Sequence, residues 1–269
     1  MENQKTRTEN RIMSSEEALI SSFYWKIGSA QHVGSRPEQQ DSIGAANGSF
    51  QGKPVLLAVL ADGMGGMHDG AEFSRIAVET HIKNLQAALD YFSLPSNVLL
   101  FLAQQAGKEA HKIYNQDKPG GTTLVSVLLS QSGCNILSVG DSRVYLFRSR
   151  KPLQLNREHL LGPALDERAW MGKVSFEDAE GNIYRNSLTS SIGEAHIKRM
   201  DVTDHPLRIL SGDRIVLMSD GIYRGITETE MIPFMEKSPS ETADDIISFV
   251  LNKKEKDQDN MSILVIEKK

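Results

Sequence analysis

The chain has 269 residues, of which 39% are hydrophobic and 24% are charged, and these proportions indicate a globular protein and exclude global disorder. The formal net charge of −5 and the lack of a basic stripe predict that nucleic acid is not a partner. One cysteine, Cys134, excludes an internal disulfide framework, and no run of residues reaches the roughly 18 apolar side chains that a membrane span needs. We therefore expect a cytoplasmic protein without a membrane partner.

The first 22 residues alternate charged side chains with Ser, Thr and Asn and lack an apolar stretch of the kind found in signal peptides. We predict that residues 1–22 form a mobile tail. A single folded domain is expected over residues 23–269, since large layered folds of this length are common as one unit.

Short apolar runs bounded by Gly, Asn, Asp and Ser recur in the rest of the chain and are typical of β-strands. They cover residues 55–61, 124–129, 136–139, 144–147, 215–218 and 262–266. Helical spacing lies between the first two runs, over residues 70–89 and 96–115, with Ser96 as the expected N-cap of the second helix. Because helices and strands occur in blocks, the pattern predicts an α+β fold of antiparallel sheets with helices packed outside.

The C-terminal third contains further helix signals and one long segment without periodicity. Thr227 to Glu230 matches a capping box, and a helix is expected to begin at Ser240. Residues 156–190 fit no periodic template and are interrupted by glycines, so we predict an irregular, mobile flap there.

Four aspartates lie at the ends of predicted strands: Asp62, Asp141 and Asp220 follow strands, and Asp259 precedes the last one. A lone Asp-Gly pair is more often a turn signal, but four aspartates at strand ends indicate that they form one site. Hard cations such as Mg²⁺ or Mn²⁺ require several oxygen ligands, and strand ends hold carboxylates rigidly. Two such ions can activate a shared water for attack on phosphorus.

Seven short motifs follow one another along the chain: Arg36-Pro37-Glu38-Gln39-Gln40-Asp41-Ser42, Asp62-Gly63-Met64-Gly65-Gly66, Gly121-Thr122-Thr123, Gly140-Asp141-Ser142-Arg143, Leu188-Thr189 through Gly193, Ser219-Asp220-Gly221 and Asp259-Asn260. In this order and approximate spacing they resemble the motifs of the type 2C metal-dependent protein phosphatases, over about residues 23–267. The second motif is similar to that of the bacterial branch.

The resemblance implies two antiparallel β-sheets packed as a sandwich and flanked by helices (α-β-β-α). It also implies hydrolysis of phosphoserine and phosphothreonine on a protein substrate, by a water activated between two Mn²⁺ or Mg²⁺ ions. A monomer that opposes a serine/threonine kinase in bacterial signalling is expected.

The same resemblance assigns the site residues. It implies that Asp62 bridges both ions, that the carbonyl of Gly63 binds one, and that Asp220 and Asp259 complete the other. Asp141 is expected to bind a third, weaker ion together with Asp220, and Arg36 to hold the substrate phosphate. The metal-binding set predicted in this way is Asp41, Asp62, Gly63, Asp141, Asp220 and Asp259, and the catalytic set is Arg36, Asp62, Asp220 and Asp259.

Two positions depart from the family pattern. Gln40 stands where many relatives carry Glu, which predicts weaker metal affinity. Met64 stands where animal relatives carry a histidine that serves as general acid, so the proton donor to the leaving group is open. His68 is near in sequence, although a lone loop histidine is more often a solvated surface residue.

Other interpretations of the chain are less favoured. A catalytically weak relative that binds phosphoprotein as a sensing module is suggested by Gln40 and Met64, and a two-metal nuclease is disfavoured by the acidic charge. The segment from Gly120 to Thr123 lacks the lysine of a phosphate loop and indicates close backbone packing. Cys134 lacks a Cys-x5-Arg phosphate loop, so a packed thiol is expected rather than a nucleophile.

Overall fold

The structure is a computed structural model that describes residues 24–65, 69–114, 119–254 and 256–269. The predicted tail over residues 1–22, Gly66 of the second motif and His68 lie outside the described residues. In the described residues no helix is long and apolar enough to cross a bilayer.

Two antiparallel β-sheets form the centre of the protein. The first contains, in spatial order, β1 (Trp25–His32), β11 (Met261–Lys268), β10 (Arg214–Met218), β7 (Arg143–Arg148) and β8 (Lys151–Gln154). The second contains β2 (Asp41–Phe50), β3 (Lys53–Met64), β5 (Leu124–Ser130), β6 (Gly133–Val139) and β9 (Asp201–Val202), with the short β4 (Gly121–Thr122) paired to β3.

Seven α-helices occur in the described part of the chain. They are α1 (Asp69–Tyr91), α2 (Pro95–His111), α3 (Leu161–Trp170), α4 (Phe176–Glu180), α5 (Asp220–Tyr223), α6 (Glu228–Met231) and α7 (Pro239–Asn252), with a 3₁₀ turn at Ile232–Glu236.

Three apolar layers hold the helices and sheets together. Alternate residues of β3 face opposite sides, so Leu57 and Val59 pack beneath α1 and α2 whereas Leu56 and Leu60 face the first sheet. The third layer lies between the first sheet and α7, where Ile246 is fully buried. The layers therefore stack as helix, sheet, sheet, helix, which confirms the predicted fold class.

The hairpin that joins β2 to β3 sets the alignment of the two strands. Its two loop residues, Gln51 and Gly52, have φ angles of 51° and 74°, which is the left-handed pair of a type I′ turn. From that turn the pairing runs without interruption to the far end, where Asp41 lies directly opposite Asp62.

The six predicted strands are all present, each extended by one to three residues at one or both ends. Two longer strands, β1 and β2, were not predicted. The sequence of β2 is Asp-Ser-Ile-Gly-Ala-Ala-Asn-Gly-Ser-Phe, which has little intrinsic strand preference. It forms a strand because it pairs with β3 and packs on α1.

The helix predicted over residues 70–89 is confirmed, but two helix starts differ from the prediction. The N-cap of α2 is Leu94, without a side-chain cap, and Ser96 lies buried inside the first turn after Pro95. Helix α7 begins at Pro239, one residue before the predicted start, and its N-cap Ser238 forms a capping box with Glu241. The predicted capping box at Thr227 and Glu230 is confirmed.

The prediction that residues 156–190 are irregular is wrong, because this segment contains the helices α3 and α4. A small cluster of Leu165, Ala169 and Ala179 packs these helices together. The Gly162-Pro163 pair that suggested a break lies in the first turn of α3, where proline is tolerated because the backbone N–H has no helical partner. The mobility of this segment remains a prediction.

His81 on α1 is expected to make stability depend on pH. It is completely buried; its Nδ1 lies 2.9 Å from the Ala77 carbonyl oxygen, and its Nε2 has no partner among the described residues. Burial lowers the pKa of His81 from 6.5 to about 4. Between these values the unfolded chain takes up a proton that the folded protein excludes, so stability is lost as pH falls from 6.5 towards 4.

We expect this histidine to remove about 3 kcal/mol from the free energy of unfolding across that interval. Urea unfolding at pH 7.5 and pH 4.5 would measure it, as the difference between wild type and His81→Leu at each pH. The exposed His205 offers a matched control, since His205→Gln should not change the pH dependence. A difference between wild type and His81→Leu that does not vary with pH would contradict the prediction.

Candidate metal centre

Five carboxylates gather where strands of the two sheets end. Asp41 begins β2 opposite Asp62 on β3, Asp220 opens α5 directly after β10, and Asp259 precedes β11. Asp141 lies in the turn between β6 and β7. After burial, the charges of Asp41, Asp220, Asp141 and Asp259 all raise the pKa of Asp62, so the structure brings the predicted acidic residues into one cluster.

Asp41, which is buried, and Asp62, which is partly buried, form the base of this cluster. Ser219 Oγ donates a hydrogen bond to Asp41 Oδ2 at 2.9 Å, whereas Asp41 Oδ1 is buried and has no hydrogen-bond partner among the described residues. Burial raises the pKa of Asp41 to about 7, with the charges of Asp220 and Asp259 adding to the shift. A buried carboxylate oxygen without a donor is costly unless a cation meets it.

Asp220 and Asp259 each contact an arginine. Arg224 Nη2 lies 2.8 Å from Asp220 Oδ2, and Arg36 Nη2 lies 2.9 Å from Asp259 Oδ2. Burial nevertheless raises the pKa of Asp220 to about 6, although Arg224 acts in the opposite direction. Because the Arg36 side chain is 53% exposed, its guanidinium stands at the solvent side of the cluster.

Asp141 is oriented by its neighbours. Tyr223 donates its hydroxyl hydrogen to Asp141 Oδ2 at 3.0 Å, and burial is the main cause that raises the pKa of Asp141. The preceding residue, Gly140, is held by the buried His159. The ring Nδ1 of His159 accepts the Gly140 N–H at 3.2 Å, and the backbone N–H of His159 donates to the Gly140 carbonyl at 2.9 Å. Gly140, directly before Asp141, is therefore held through both its N–H and its carbonyl.

Close backbone contacts explain the glycine and threonine motifs. A Cβ atom at Gly63 would lie 2.1 Å from the Gly70 carbonyl oxygen and 2.4 Å from that of Gln40, so only glycine fits beside Asp62. Thr123 N–H donates to the Asp62 carbonyl at 2.8 Å, and Thr123 Oγ1 accepts the Asp62 N–H at 3.0 Å. The backbone packing predicted for the Gly-Thr-Thr segment is confirmed.

Asn260 ties the first motif to the last strand. Its Oδ1 accepts the Gln40 N–H at 2.7 Å, and its Nδ2 donates to the carbonyls of Val33 and Glu38 at 2.9 and 3.0 Å. The loop that carries Arg36 is thus bound to the residue that follows Asp259. Neighbouring Gln40 directs its side chain towards Gly70.

The donor set fits hard divalent ions, because every side chain in the cluster offers carboxylate oxygens and Asp41 Oδ1 is left unpaired. In the part of the chain that the structure describes, no three His, Cys, Asp or Glu side chains lie close enough to hold an ion by themselves. Arg224 and Arg36 each occupy one oxygen, Oδ2 of Asp220 and Oδ2 of Asp259. A metal ion bound through these two oxygens would replace the arginine contacts.

A sequence profile of the family described as protein phosphatase 2C matches residues 29–254. The chain belongs to the protein phosphatase 2C family. The match spans every carboxylate of the cluster except Asp259, and it confirms the resemblance found in the motifs.

Two bacterial phosphatases resemble the chain over most of its length. The serine/threonine phosphatase stp of Listeria monocytogenes is 30% identical over 221 residues, which cover 79% of this chain and 84% of that protein. The protein phosphatase PhpP of Streptococcus pneumoniae is 29% identical over 184 residues, which cover 65% of this chain and 70% of that protein. The predicted enzyme class, a metal-dependent serine/threonine protein phosphatase, is confirmed.

Solved structures show the same fold. The serine/threonine phosphatase of S. agalactiae superposes with a TM-score of 0.72 at 24% identity and covers 91% of this chain and 99% of that one. The catalytic domain of the serine/threonine phosphatase PstP, in complex with two manganese ions, has a TM-score of 0.67 at 21% identity and covers 91% and 98% of the two chains.

Three further side chains of this protein phosphatase 2C family member compare differently with the sequence analysis: one was predicted correctly and two were not predicted. Cys134 is fully buried and burial raises the pKa of its thiol, so it is the packed residue that was predicted. Tyr223 and Arg224 were missed. A sequence signal existed for Arg224, which lies four residues after Asp220 and so shares its face of a helical turn.

Proposed function

We propose that this protein hydrolyses phosphoserine and phosphothreonine on protein substrates, with two Mn²⁺ or Mg²⁺ ions held by Asp41, Asp62, the Gly63 carbonyl, Asp220 and Asp259. The observation that supports this most is the carboxylate cluster, in which burial raises the pKa values of Asp41, Asp62 and Asp220 and Asp41 Oδ1 has no donor among the described residues. When bound, such ions lower the pKa of a shared water and neutralise charge on the phosphoryl group.

The chain's own residues position this chemistry. Thr123 fixes the backbone of Asp62 from both sides, and Ser219 orients Asp41, so the two carboxylates at the base of the cluster are held in place before substrate binds. Asp141, oriented by Tyr223, is proposed to hold a third and weaker ion with Asp220 and to position the water that protonates the leaving group. Met64 has no proton to give.

Arg36 is proposed to bind the substrate phosphate. Its exposed guanidinium contacts Asp259 of the cluster, and a guanidinium presents a planar pair of donors that suits phosphate oxygens. Asn260 anchors the loop that carries Arg36, which keeps the guanidinium near the point where the phosphate would meet the carboxylate cluster.

Replacing Arg36 with alanine is expected to raise KM for a phosphothreonine peptide by about 10- to 100-fold, the loss of one charge-assisted hydrogen-bonding group. Metal affinity, measured by calorimetry with Mn²⁺, should not fall, because Arg36 contacts a proposed metal ligand without binding the metal itself. Arg36→Lys keeps the charge without the planar fork and should fall between wild type and Arg36→Ala. If KM stays at the wild-type value, Arg36 does not bind the phosphate.

Manganese-dependent release of phosphate from a phosphothreonine peptide tests the proposed function directly, with single-stranded DNA as the control substrate. Binding of the peptide without phosphate release would favour the sensing module that Gln40 and Met64 suggest. Cleavage of the DNA would favour the nuclease.

The cellular setting is part of the same proposal. We propose a cytoplasmic monomer that removes phosphate added by a serine/threonine kinase. The single buried cysteine and the bacterial phosphatases to which the chain is similar support this setting.

A further inference from the structure

A cavity of about 300 Å³ lies beside the carboxylate cluster. It opens to solvent and lies between the start of β7, the end of α5, the start of α6 and the residue after α7. Its lining consists of Arg143, Tyr145, Tyr223, Arg224, Gly225, Ile226, Thr227, Glu228, Met231 and Lys253.

Two walls of this cavity contact the candidate metal ligands directly. The Tyr223 hydroxyl donates to Asp141 Oδ2 at 3.0 Å, and Arg224 Nη2 lies 2.8 Å from Asp220 Oδ2. An extended peptide advances about 3.3 to 3.6 Å per residue. A side chain within a few residues of the phosphorylated residue would therefore reach the cavity.

The lining carries three cations, Arg143, Arg224 and Lys253, against one carboxylate, Glu228. The charge of Glu228 is partly satisfied, because its Oε1 accepts the Tyr145 hydroxyl hydrogen at 2.8 Å. Each of the three cations also pairs with an acid that does not line the cavity: Arg143 with Glu158, Arg224 with Asp220 and Lys253 with Glu230. Among the side chains that line the cavity, cations outnumber carboxylates three to one.

Arg143 is held in a fixed orientation with donors to spare. Its guanidinium carbon lies 3.8 Å from the centre of the Tyr223 ring, its Nε donates to Glu158, and its Nη1 donates to the Tyr145 hydroxyl at 3.4 Å. In the described residues nothing accepts from Nη2. A stacked guanidinium with free N–H groups is suited to a carboxylate or a phosphate.

We propose that this cavity binds an anionic side chain of the phosphoprotein substrate, a few residues away from the residue that is dephosphorylated. The inference rests on the proposed phosphatase function and names its substrate class: peptides with an acidic residue or a second phosphorylated residue near the target. The volume suits one side chain, since it lies at the lower end of the range for small-molecule pockets.

The test compares phosphothreonine peptides that differ at one position at a time, scanned over the three residues on either side of the target, with Ala, Asp or phosphoserine there. At the best position, wild type is expected to show a kcat/KM about 10-fold higher for the Asp peptide than for the Ala peptide. Because exposed charges are screened by salt, 0.5 M NaCl should reduce this ratio. The same ratio to the Ala peptide is measured for the phosphoserine peptide. If it is larger than the ratio for the Asp peptide, the cavity is assigned to a second phosphate, and if the two ratios are equal, the cavity is assigned to carboxylates.

Variants connect the preference to the cavity. Arg143→Gln should bring the ratio close to 1, Arg143→Lys should retain part of it, and Lys253→Gln should lower it about threefold. Since the ratio is taken within each variant, a general loss of activity cancels. The exposed Lys254 does not line the cavity, so Lys254→Gln should keep the wild-type ratio. Thermal melts would show that each variant is folded.

Equal kcat/KM values of wild type for Ala and Asp peptides at all scanned positions would overturn the proposal, and so would a ratio that survives both Arg143→Gln and Lys253→Gln. Hydrolysis of para-nitrophenyl phosphate separates this failure from failure of the phosphatase function, because that small substrate does not reach the cavity.

If no peptide is hydrolysed, dissociation constants of the same peptides from wild type, measured by fluorescence anisotropy, replace kcat/KM. Equal binding of Ala and Asp peptides, or no binding, would then overturn the proposal.

Discussion

Asp62→Asn is expected to abolish manganese-dependent turnover, by about 10³-fold or more, and at the same time to stabilise the protein in EDTA. The loss follows because the metal contribution to phosphoryl transfer amounts to several kcal/mol, and each 1.4 kcal/mol is tenfold in rate. The gain in stability follows because burial and four neighbouring aspartates raise the pKa of Asp62. A carboxylate whose folded pKa is raised destabilises the folded state as pH rises above its unfolded value of 3.8.

Calorimetry with Mn²⁺ and a thermal melt at pH 7.5 would measure both effects. Metal affinity should fall, and the melting temperature in EDTA should rise relative to wild type. Asp204 is an exposed aspartate outside the cluster, so Asp204→Asn should change neither quantity. Unchanged metal affinity in Asp62→Asn would exclude Asp62 as a bridging ligand.

Asp141→Asn is expected to slow hydrolysis of phosphoserine or phosphothreonine peptides much more than hydrolysis of para-nitrophenyl phosphate, at saturating metal. A serine alkoxide is a strong base and must be protonated as it leaves, whereas a nitrophenolate can leave unprotonated. General-acid assistance to a poor leaving group is typically worth about 10²- to 10⁴-fold, so the two substrates should differ by a factor in this range.

Tyr223→Phe provides a milder test of the same assignment. It removes only the hydroxyl that donates to Asp141 Oδ2, so it should reduce peptide hydrolysis more than aryl phosphate hydrolysis, but by less than Asp141→Asn. Equal losses on both substrates in the Asp141 variant would mean that Asp141 supports the attacking step or the metal site itself. The search for the proton donor would then begin with His68.

The sequence predicts those helices and strands whose own side chains determine their conformation. Strand β3 is apolar on both faces and was predicted, whereas β2 depends on β3 and α1 for its conformation and was not. Helix α3 was hidden by the Gly162-Pro163 pair, because a pattern of residues does not show that the pair falls in a first turn.

The site divides in the same way. Asp62, Asp141, Asp220 and Asp259 were predictable because each stands at one end of an apolar run. Asp41 begins the unpredicted strand β2 and was assigned only through the resemblance of the motifs. The contact between Arg36 and Asp259 joins residues 223 positions apart, and no local pattern encodes it. Tyr223 was equally hidden, since a four-residue helix such as α5 is too short to show periodicity.

The turn at Gln51 and Gly52 limits how this enzyme can vary. A Cβ atom at Gly52 would meet nothing within 4 Å, so glycine is required there by conformation and not by packing. One extra residue in the turn that shifted the pairing of β2 by one position would move Asp41 to the opposite face from Asp62. The acids form the tenth residue pair counted from the turn, about 30 Å along the strands from the first pair. Insertions that are harmless in most surface loops would therefore inactivate the enzyme here, although no residue of the turn approaches the substrate.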